Sequence, residues 1–360
     1  MIDVVIIGAG PAGLNLAQRL AGSGLHTRLL ERGDGPGDSW RRMPRDMRLN
    51  SPAGASVLGD TRVGFFEWNR IWTRGQFYEH VCAFAAEHAL EIETGVDVAR
   101  VGRAGDGFRV ESSIGDLETR CVVNATGYFN RPFVPMRPGA DDAKLLQMTV
   151  PEYGSPDAVR DRLGGRTGGI LIVGARITAG QLGVELHDAG FDVTISHRHP
   201  IAFGFAPAVQ RLGFRAYYPF ETMRLGDPEF AARDSGHPMQ GGRARNLIES
   251  GAIATRPDVE RLDGDRVHFL EGAPEAFDAV LWATGYRPAL PHLEGLVTLD
   301  PTSGLPRMHE MESTEAKGLF FLGLDQQTDF TSRMLRGIRR DALRLADRLV
   351  ENLSADGAPR

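Results

Sequence analysis

The chain has 360 residues, of which 42% are hydrophobic, and this size and composition predict a globular protein of two domains. Its formal net charge is -6, with 41 Lys and Arg scattered among 47 Asp and Glu, so we expect no nucleic-acid surface. Its two cysteines form no CxxC pair, which argues against a local zinc site, a dithiol centre or a disulfide framework and favours a reducing, cytoplasmic location. The apolar start MIDVVIIGAG is too short for a membrane span and has no basic segment before it, so we interpret it as a buried strand.

The first predicted unit is a strand, a glycine turn and a helix. An apolar strand runs into GAGPAG, and apolar residues then recur at helical spacing. In such a turn Gly8 permits the tight bend, Gly10 lets the backbone approach a pyrophosphate, and Gly13 lets the helix pack closely on the strand. The next strand, HTRLLER, contains Glu31 about 20 residues downstream, where a carboxylate can bind ribose hydroxyls. The pattern predicts a dinucleotide site, and a purely structural glycine turn is the alternative.

Further along the chain, the composition changes twice before a second unit begins. Short alternating runs at 96–123, separated by Gly and Asp, predict a small antiparallel meander. The Pro-, Gly- and Asp-rich stretch 151–169 predicts the crossing into a second domain. A second strand, turn and helix follow in ILIVGARITAGQLGVELHDAG. Gly174 and Ala179 fit the first and third positions of the glycine fingerprint, but Arg176 stands where the second glycine is expected.

Two arginines of the second unit are candidates for binding phosphate. A side chain at position 176 either blocks a pyrophosphate or turns outward, and the planar guanidinium of Arg176 can pair with phosphate oxygens. Arg198 follows the next strand, in DVTISHRHP, where an arginine can hold the 2′-phosphate of NADP. We therefore expect Arg176 to hold the pyrophosphate or the 2′-phosphate of a slightly displaced NADPH. The alternatives are a second fold kept only as scaffold, and a basic surface cluster around Arg198.

The region of about 200–250 interrupts the nucleotide-fold pattern with aromatic, proline and basic residues, and we interpret it as a specificity insert. Near the end of the chain, apolar residues at helical spacing predict an amphipathic helix from about 332 to 353. The ring side chains of the insert could wall an apolar substrate pocket, or they could simply pack on their own domain. They are Phe203, Phe205, Phe214, Tyr217, Tyr218 and His237.

Four more motifs accompany the two turns: GDSW at 37–40, NATGYFNRPFVP at 124–135, WATGYRPAL at 282–290 and GLFFLGLDQQ at 318–327. With them the chain resembles, over nearly its whole length, the two-domain flavoprotein family that includes flavin-containing monooxygenases, Baeyer–Villiger-type enzymes and related small bacterial oxidoreductases. The resemblance implies an α/β fold with two Rossmann-like dinucleotide-binding domains. FAD is expected in a discontinuous first domain, residues 1–160 and 286–360, and NADPH in an inserted second domain, residues 161–285.

The resemblance also implies roles for individual residues. Asn50, in RLNSP, is expected near the reactive edge of the flavin as the catalytic assistant, although Asn before Ser-Pro is also a common turn composition. The N-terminus of the last helix is expected to face the pyrimidine end of the flavin, with Thr331 either in contact with it or simply capping the helix. The cofactor-binding residues expected overall are Gly8, Gly10, Pro11, Ala12, Gly13, Glu31, Arg32, Ser39, Trp40, Asn50, Ala125, Thr126, Gly127, Gly174, Arg176, Thr178, Ala179, Arg198, Ala283, Thr284, Gly285, Gly323, Asp325, Gln326 and Thr331.

One departure from the family pattern weakens the monooxygenase assignment. The signature FxGxxxHxxxY is present only as LLQMTVPEY, in which Tyr153 matches and Thr149 occupies the histidine position. The predicted function is still a monooxygenase, in which NADPH reduces FAD and O₂ then forms a flavin C4a-hydroperoxide that oxygenates a small molecule. The alternatives are an NAD(P)H-dependent flavin reductase or dehydrogenase, an oxidase, and a non-catalytic flavin-binding subunit. A disulfide reductase is disfavoured by the cysteines, no metal or membrane span is expected, and a homo-oligomer is possible.

Overall fold

The structure is a computed structural model that describes residues 1–44, 47–204, 213–216, 218, 238–239 and 241–355. The strands span Ile2–Ile7, Thr27–Leu30, Val98–Ala104, Gly107–Ser112, Gly115–Asn124, Arg131–Pro132, Leu146–Thr149, Gly169–Val173, Asp192–Ser196, Ala254–Arg256, Val259–Asp263, Arg266–Phe269, Glu275–Ala276, Ala279–Trp282, Tyr286–Arg287, Met308–His309, Glu312–Ser313 and Leu319–Phe321. The α-helices described span Pro11–Leu20, Asp38–Arg41, Ala53–Ser56, Phe65–Trp68, Arg74–Glu87, Val150–Tyr153, Pro156–Arg162, Ile177–Asp188, Arg243–Glu249 and Leu335–Ala355.

The first sheet has eight strands and is built around the long strand Gly115–Asn124. The second half of this strand pairs in parallel with Ile2–Ile7 on one side and with Leu319–Phe321 on the other. Its first half pairs antiparallel with Gly107–Ser112, which in turn pairs with Val98–Ala104. The predicted meander is therefore an antiparallel extension of a parallel sheet, and the C-terminal part of the chain returns to complete that sheet.

The second sheet has five parallel strands, and its central strand Gly169–Val173 lies between Asp192–Ser196 and Ala279–Trp282. The edge strand Leu146–Thr149 pairs in parallel with Ala279–Trp282. The second sheet therefore includes a strand that lies before residue 161, the expected start of the second domain. A small antiparallel sheet that includes Val259–Asp263 shares a buried apolar cluster with one face of this sheet. The α/β fold with two nucleotide-binding-type sheets is confirmed.

At each of the two sheets, an Ala-Thr-Gly segment packs against the first glycine of a turn. Gly8 has φ 105°, and a Cβ there would lie 2.7 Å from the carbonyl oxygen of Ala125. Gly174 has φ 145°, and a Cβ there would overlap the carbonyl oxygen of Ala283. Both positions combine a left-handed backbone with close approach of another strand, so only glycine fits without strain. The two segments Ala125–Gly127 and Ala283–Gly285 thus hold the two turns in equivalent places.

The C-terminal helix, Leu335–Ala355, packs its apolar face on helix Pro11–Leu20. It begins three residues after the predicted start because the preceding residues are engaged in a polar turn. The Ser332 hydroxyl accepts the N–H groups of Thr328 and Asp329 at 3.0 and 3.2 Å. Thr331 donates its hydroxyl to Asp329 at 2.6 Å, and its hydroxyl oxygen accepts a hydrogen bond from Nη1 of Arg340 at 3.3 Å.

Within the described part of the chain, no helix is both long and apolar enough to cross a membrane.

We expect Gly13→Ala to lower the free energy of unfolding by about 1–3 kcal/mol, the usual cost of overpacking. A Cβ at Gly13 would overlap the carbonyl oxygen of Gly8, which the turn cannot move without losing its contact with Ala125. Gly102→Ala is the matched control, because a Cβ at Gly102 would meet no atom within 4 Å. Chemical unfolding of the two variants measures the difference, and equal midpoints would contradict this account of the turn.

Candidate functional site

A cavity of about 1620 Å³ lies along both glycine turns. Its wall includes Gly10 and Glu31, which follow strands of the first sheet. It also includes Gly174 and Arg198, which follow strands of the second sheet. Pockets for single small molecules usually measure roughly 300–1,000 Å³. The volume therefore suits two dinucleotides that meet between the two sheets.

The first glycine turn presents an open anion-binding cradle. Gly10 is the residue that caps helix Pro11–Leu20, and a Cβ at Gly10 would meet no atom within 4 Å, because the space beside it is the cavity. The first N–H groups of a helix have no partner within that helix and attract anions. The turn therefore fits the pyrophosphate of a dinucleotide such as FAD.

Glu31 is fixed next to this cradle by backbone hydrogen bonds. Its Oε2 accepts the N–H of Ala9 at 2.7 Å, and its Oε1 accepts the N–H of Gly33 at 2.7 Å. An ionised carboxylate has about four lone-pair positions, so acceptor capacity remains for hydroxyl groups of a ligand. The position suits the ribose contact predicted from the sequence, which stays a prediction.

Asp38 is a buried acid that the sequence reasoning missed, and it holds the GDSW segment in place. Its carboxylate pairs with Arg41 at 2.6 Å and with Arg42. Burial alone would raise the pKa of Asp38, but the hydrogen bonds and charges of the two arginines lower it below its usual value. The neighbouring Ser39 and Trp40 line the cavity, so this ion pair positions part of its wall. The run Asp38 to Arg42 has the i,i+3 and i,i+4 charge spacing from which the pairs could have been inferred.

Asn50 lies on the cavity wall and is only partly buried. Its neighbour Ser51 accepts a hydrogen bond from Nη1 of Arg336 at 3.1 Å, which ties this segment to the C-terminal helix. The structure thus places Asn50 where it can meet a ligand, and its catalytic role remains a prediction.

The second glycine turn has the same layout with a different surface. Arg176 is the residue that caps helix Ile177–Asp188, the position that Gly10 has in the first turn. Its φ of -108° is ordinary extended backbone, and its exposed side chain lines the cavity. The backbone of Arg176 also forms a β-bridge with Pro238, at the end of the insert. Arg198 is exposed and lines the same part of the wall.

Most of the expected cofactor-binding residues line the cavity, and four do not. Gly13 and Ala179 are buried in the packing of their helices, which is the structural role of the third fingerprint position. Gln326 is exposed and Thr331 is buried, and neither is on the cavity wall, whereas Asp325 is. The residues on the wall are Gly8, Gly10, Pro11, Ala12, Glu31, Arg32, Ser39, Trp40, Asn50, Ala125, Thr126, Gly127, Gly174, Arg176, Thr178, Arg198, Ala283, Thr284, Gly285, Gly323 and Asp325.

The described aromatic residues of the insert pack on the protein instead of lining this cavity. Phe203 contacts the buried cluster of the second sheet, and Arg245 lies 5.7 Å from its ring centre. Phe214 and Tyr218 stack at 5.9 Å, and the ring of Tyr218 meets that of Trp68 at 5.8 Å. Phe205, Tyr217 and His237 lie outside the described residues.

Thr149, which occupies the expected histidine position, is the cap of the short helix Val150–Tyr153. Its N–H and its hydroxyl both donate to the same Glu152 oxygen at 2.7 Å. These hydrogen bonds, with the backbone one the larger, lower the pKa of Glu152. Thr149 and Glu152 line the cavity, so a capping pair stands where the family signature has an imidazole.

His292 is a second residue that the sequence reasoning missed, and no motif in PHLEG points to it. The side chain is buried at the cavity wall, and its Nε2 lies 2.9 Å from Oδ1 of Asn124, at the end of strand Gly115–Asn124. Burial lowers its pKa from 6.5 to about 4, with Asp97 opposing and Arg32 adding to the shift. His292 is therefore a neutral imidazole near neutral pH.

Two cysteines bear on the chemistry available at the site. Cys82 is half-buried in helix Arg74–Glu87 and Cys121 is buried in the first sheet, and both are free thiols. Neither is among the described residues that line the cavity. The wall itself therefore offers no thiol for disulfide exchange.

Comparison with known proteins gives the family. Residues 5–206 match the model of the pyridine nucleotide-disulphide oxidoreductase family. The chain belongs to this family. Among relatives, it is 26% identical over 355 residues to an uncharacterised CzcO-like oxidoreductase of Geobacillus kaustophilus, covering 95% of this chain and 96% of the relative. It is 27% identical over 378 residues to indole-3-pyruvate monooxygenase YUCCA1 of Oryza sativa, with 95% and 90% covered.

Solved structures agree with this family assignment at the level of the fold. A flavin-containing monooxygenase from Stenotrophomonas maltophilia superposes with a TM-score of 0.80 at 23% identity, covering 98% of this chain and 99% of that one. The bacillithiol disulfide reductase Bdr from Bacillus cereus gives 0.73 at 20% identity, covering 98% and 99%. The predictions of an oxidoreductase and of a flavoprotein that uses a pyridine nucleotide are confirmed.

We expect the stability of this oxidoreductase to fall as the pH is lowered from about 6.5 to 4, in part because of His292. Its folded-state pKa of about 4 lies below the ordinary 6.5, so the unfolded chain binds the proton first and is favoured by acid. The full effect is on the order of 3 kcal/mol. In His292→Asn, which does not titrate, the loss of unfolding free energy between pH 7 and pH 4.5 should be smaller by a large part of this amount.

The control is His309→Asn, because His309 is exposed. Chemical unfolding at each pH is the measurement. The same pH dependence in wild type and His292→Asn would show that His292 does not stay neutral in the fold.

Proposed function

We propose that the chain is an FAD-dependent, NADPH-using monooxygenase that oxygenates a small molecule. The observation that supports this most directly is the continuous cavity along both glycine turns. If FAD binds with its pyrophosphate at Gly10 and NADPH binds at the second turn, the flavin and the nicotinamide would meet between the two sheets. Bound there, FAD supplies the redox chemistry, and the protein supplies binding, orientation and exclusion of water.

The residues around the first turn fit FAD. The open space at Gly10 and the N-terminus of helix Pro11–Leu20 suit a pyrophosphate, and Glu31 suits a ribose. The Asp38 ion pairs hold Ser39 and Trp40 against the cavity. We assign FAD to residues 1–160 and 286–360, and NADPH to residues 161–285.

NADPH is preferred to NADH because of the cations at the second turn. Arg176 and Arg198 both line the cavity with exposed side chains, together with His197 and His199. NADPH differs from NADH by a phosphate on the ribose, and a charge-assisted hydrogen bond to such a group contributes about 1.5–3 kcal/mol. We assign Arg198 to the 2′-phosphate and Arg176 to the pyrophosphate or the 2′-phosphate.

Oxygenation is favoured over disulfide reduction by the placement of the cysteines, since the described cavity wall has none. Relatives named indole-3-pyruvate monooxygenases and flavin-containing monooxygenases also support oxygen insertion. The second candidate function is an NAD(P)H-dependent flavin oxidoreductase or oxidase without oxygen insertion. Thr149 favours that candidate, because it replaces the histidine of the monooxygenase signature with a helix-capping residue.

Anaerobic addition of NADPH to the yellow protein, followed by oxygen, decides between these candidates. We expect NADPH to bleach the flavin absorbance, because the cavity brings donor and acceptor together. Oxygen should then produce a transient absorbing species before the oxidised flavin returns. Because no oxygen acceptor is present, the two electrons leave as one H₂O₂ per flavin for every candidate, so the transient is the deciding observation. Immediate reoxidation without a transient would support the reductase or oxidase, and a flavin that NADPH never bleaches would support a non-catalytic subunit.

Arg176 gives a second prediction, because a side chain that holds a phosphate and a side chain that obstructs the nucleotide have opposite consequences when Arg176 is replaced. If its guanidinium holds a phosphate, Arg176→Ala should raise the NADPH concentration for half-maximal flavin reduction about tenfold, most strongly at low salt where ionic contacts are least screened. Arg176→Gly would behave in the same way. Anaerobic stopped-flow reduction at several NADPH concentrations is the measurement. Faster reduction in Arg176→Gly than in wild type would show instead that the side chain obstructs the nucleotide.

A further inference from the structure

The segment Met47–Leu49 is a short extended stretch that lines the cavity and forms a β-bridge with Thr73. One side of it pairs with residues 72–74: the N–H of Leu49 donates to the Trp72 carbonyl at 2.9 Å, and the N–H of Arg74 donates to the Met47 carbonyl at 2.7 Å. In an extended chain, backbone groups of alternate residues point to opposite sides. The N–H and C=O of Arg48 therefore point away from residues 72–74.

Gln181 takes both of these outward-facing groups. Its Oε1 accepts the N–H of Arg48 at 2.9 Å, and its Nε2 donates to the carbonyl oxygen of Arg48 at 3.1 Å. One side-chain amide thus supplies the donor and the acceptor that a neighbouring strand would supply. A hydrophobic residue at 181 could make neither bond, and a carboxylate could make only the first.

The two partners belong to different halves of the molecule. Gln181 lies in helix Ile177–Asp188, whose N-terminal cap is Arg176 of the second glycine turn. Arg48 lies two residues before Asn50, on the wall next to the expected flavin position. Met47 also reaches across, because it packs against the buried cluster of the second sheet. The amide therefore joins the nucleotide-binding helix of the second half to the Asn50 segment of the first half.

We propose that Gln181 is a positioning residue for hydride transfer, which keeps the Asn50 segment and the second glycine turn at a fixed separation. The inference rests on the proposed use of NADPH and FAD. Hydride transfer needs its donor and acceptor in contact, and a misplacement of about 1 Å can cost a factor of about 100 in rate. In this proposal the helix that contains Gln181 holds the nicotinamide nucleotide. The segment that contains Arg48 forms part of the wall beside the flavin. Gln181 also lines the cavity, and in this proposal it acts through the two segments that it joins and not through contact with the reacting atoms.

Gln181→Met tests the proposal because methionine has a similar length but cannot make either hydrogen bond. The limiting rate of anaerobic flavin reduction at saturating NADPH should fall about tenfold. The NADPH concentration for half-maximal reduction should change less than twofold, and FAD content should stay normal. Gln181→Glu, which keeps the acceptor for the Arg48 N–H, should lose less of the rate than Gln181→Met.

Hydrogen exchange supplies a readout that does not depend on turnover. The backbone amide of Arg48 should exchange faster in Gln181→Met than in wild type, while the amides of Leu49 and Arg74 keep their protection. Asp188→Asn is the control, because its ion pair with Arg243 also lies on helix Ile177–Asp188 but stays within the second half. That variant should leave both the reduction rate and the Arg48 amide unchanged.

The two proposals fail in different ways. If NADPH does not reduce the wild-type flavin, the proposed function is wrong, and exchange at Arg48 alone then decides whether the bridge exists. If the wild type is reduced and Gln181→Met is reduced at the same limiting rate, the positioning role is overturned. A rise in the half-saturating NADPH concentration at an unchanged limiting rate would also overturn it, because it would make Gln181 a binding residue.

Discussion

Both nucleotide turns depend on one steric constraint, the contact between a glycine and the carbonyl oxygen of an Ala-Thr-Gly segment. Gly8 meets Ala125 and Gly174 meets Ala283, in each case with a left-handed backbone and no room for a Cβ. The contact brings the end of one strand, the start of a helix and the end of a neighbouring strand to the same edge of a sheet. The cavity lies at that edge, beyond the carboxyl ends of the strands, which is where ligands of open α/β sheets bind.

The same constraint explains why the glycine fingerprint is broken at one position and intact at the others. The first and third positions face the protein: the first has no room for a Cβ, and the third holds glycine in the first turn and alanine, Ala179, in the second. The second position faces the ligand, since a Cβ at Gly10 would meet nothing within 4 Å. Arg176 has that position in the second turn with an ordinary φ of -108°, and the helix after it forms normally. A change at this position alters the surface that the turn presents to the cavity and leaves the turn intact.

Features marked by local sequence patterns could be predicted from the sequence, whereas contacts between residues far apart in the chain could not. The turns, the acid Glu31 and the meander are each marked by a local sequence pattern, and the structure has them where that pattern placed them. His292 contacts Asn124 across 168 residues, and Gln181 contacts Arg48 across 133, so no local spacing announces either pair. The start of the last helix was misplaced because Thr331 and the residue after it bond within a polar turn, an alternative that short hydroxyl side chains always offer the backbone.

The charges of the cavity wall are divided between acids that the protein compensates and exposed basic side chains. Three of its acids are compensated by the protein: Glu31 by two backbone N–H groups, Asp38 by two arginines and Asp258 by Arg137 at 2.7 Å. Arg198, by contrast, presents an exposed side chain to the same space. Compensated acids contribute hydrogen-bond acceptors at fixed positions without repelling a phosphate strongly, while the exposed cations attract it. The wall can therefore hold hydroxyl groups and phosphates of the same dinucleotide, which an uncompensated acidic or basic surface could not do equally well.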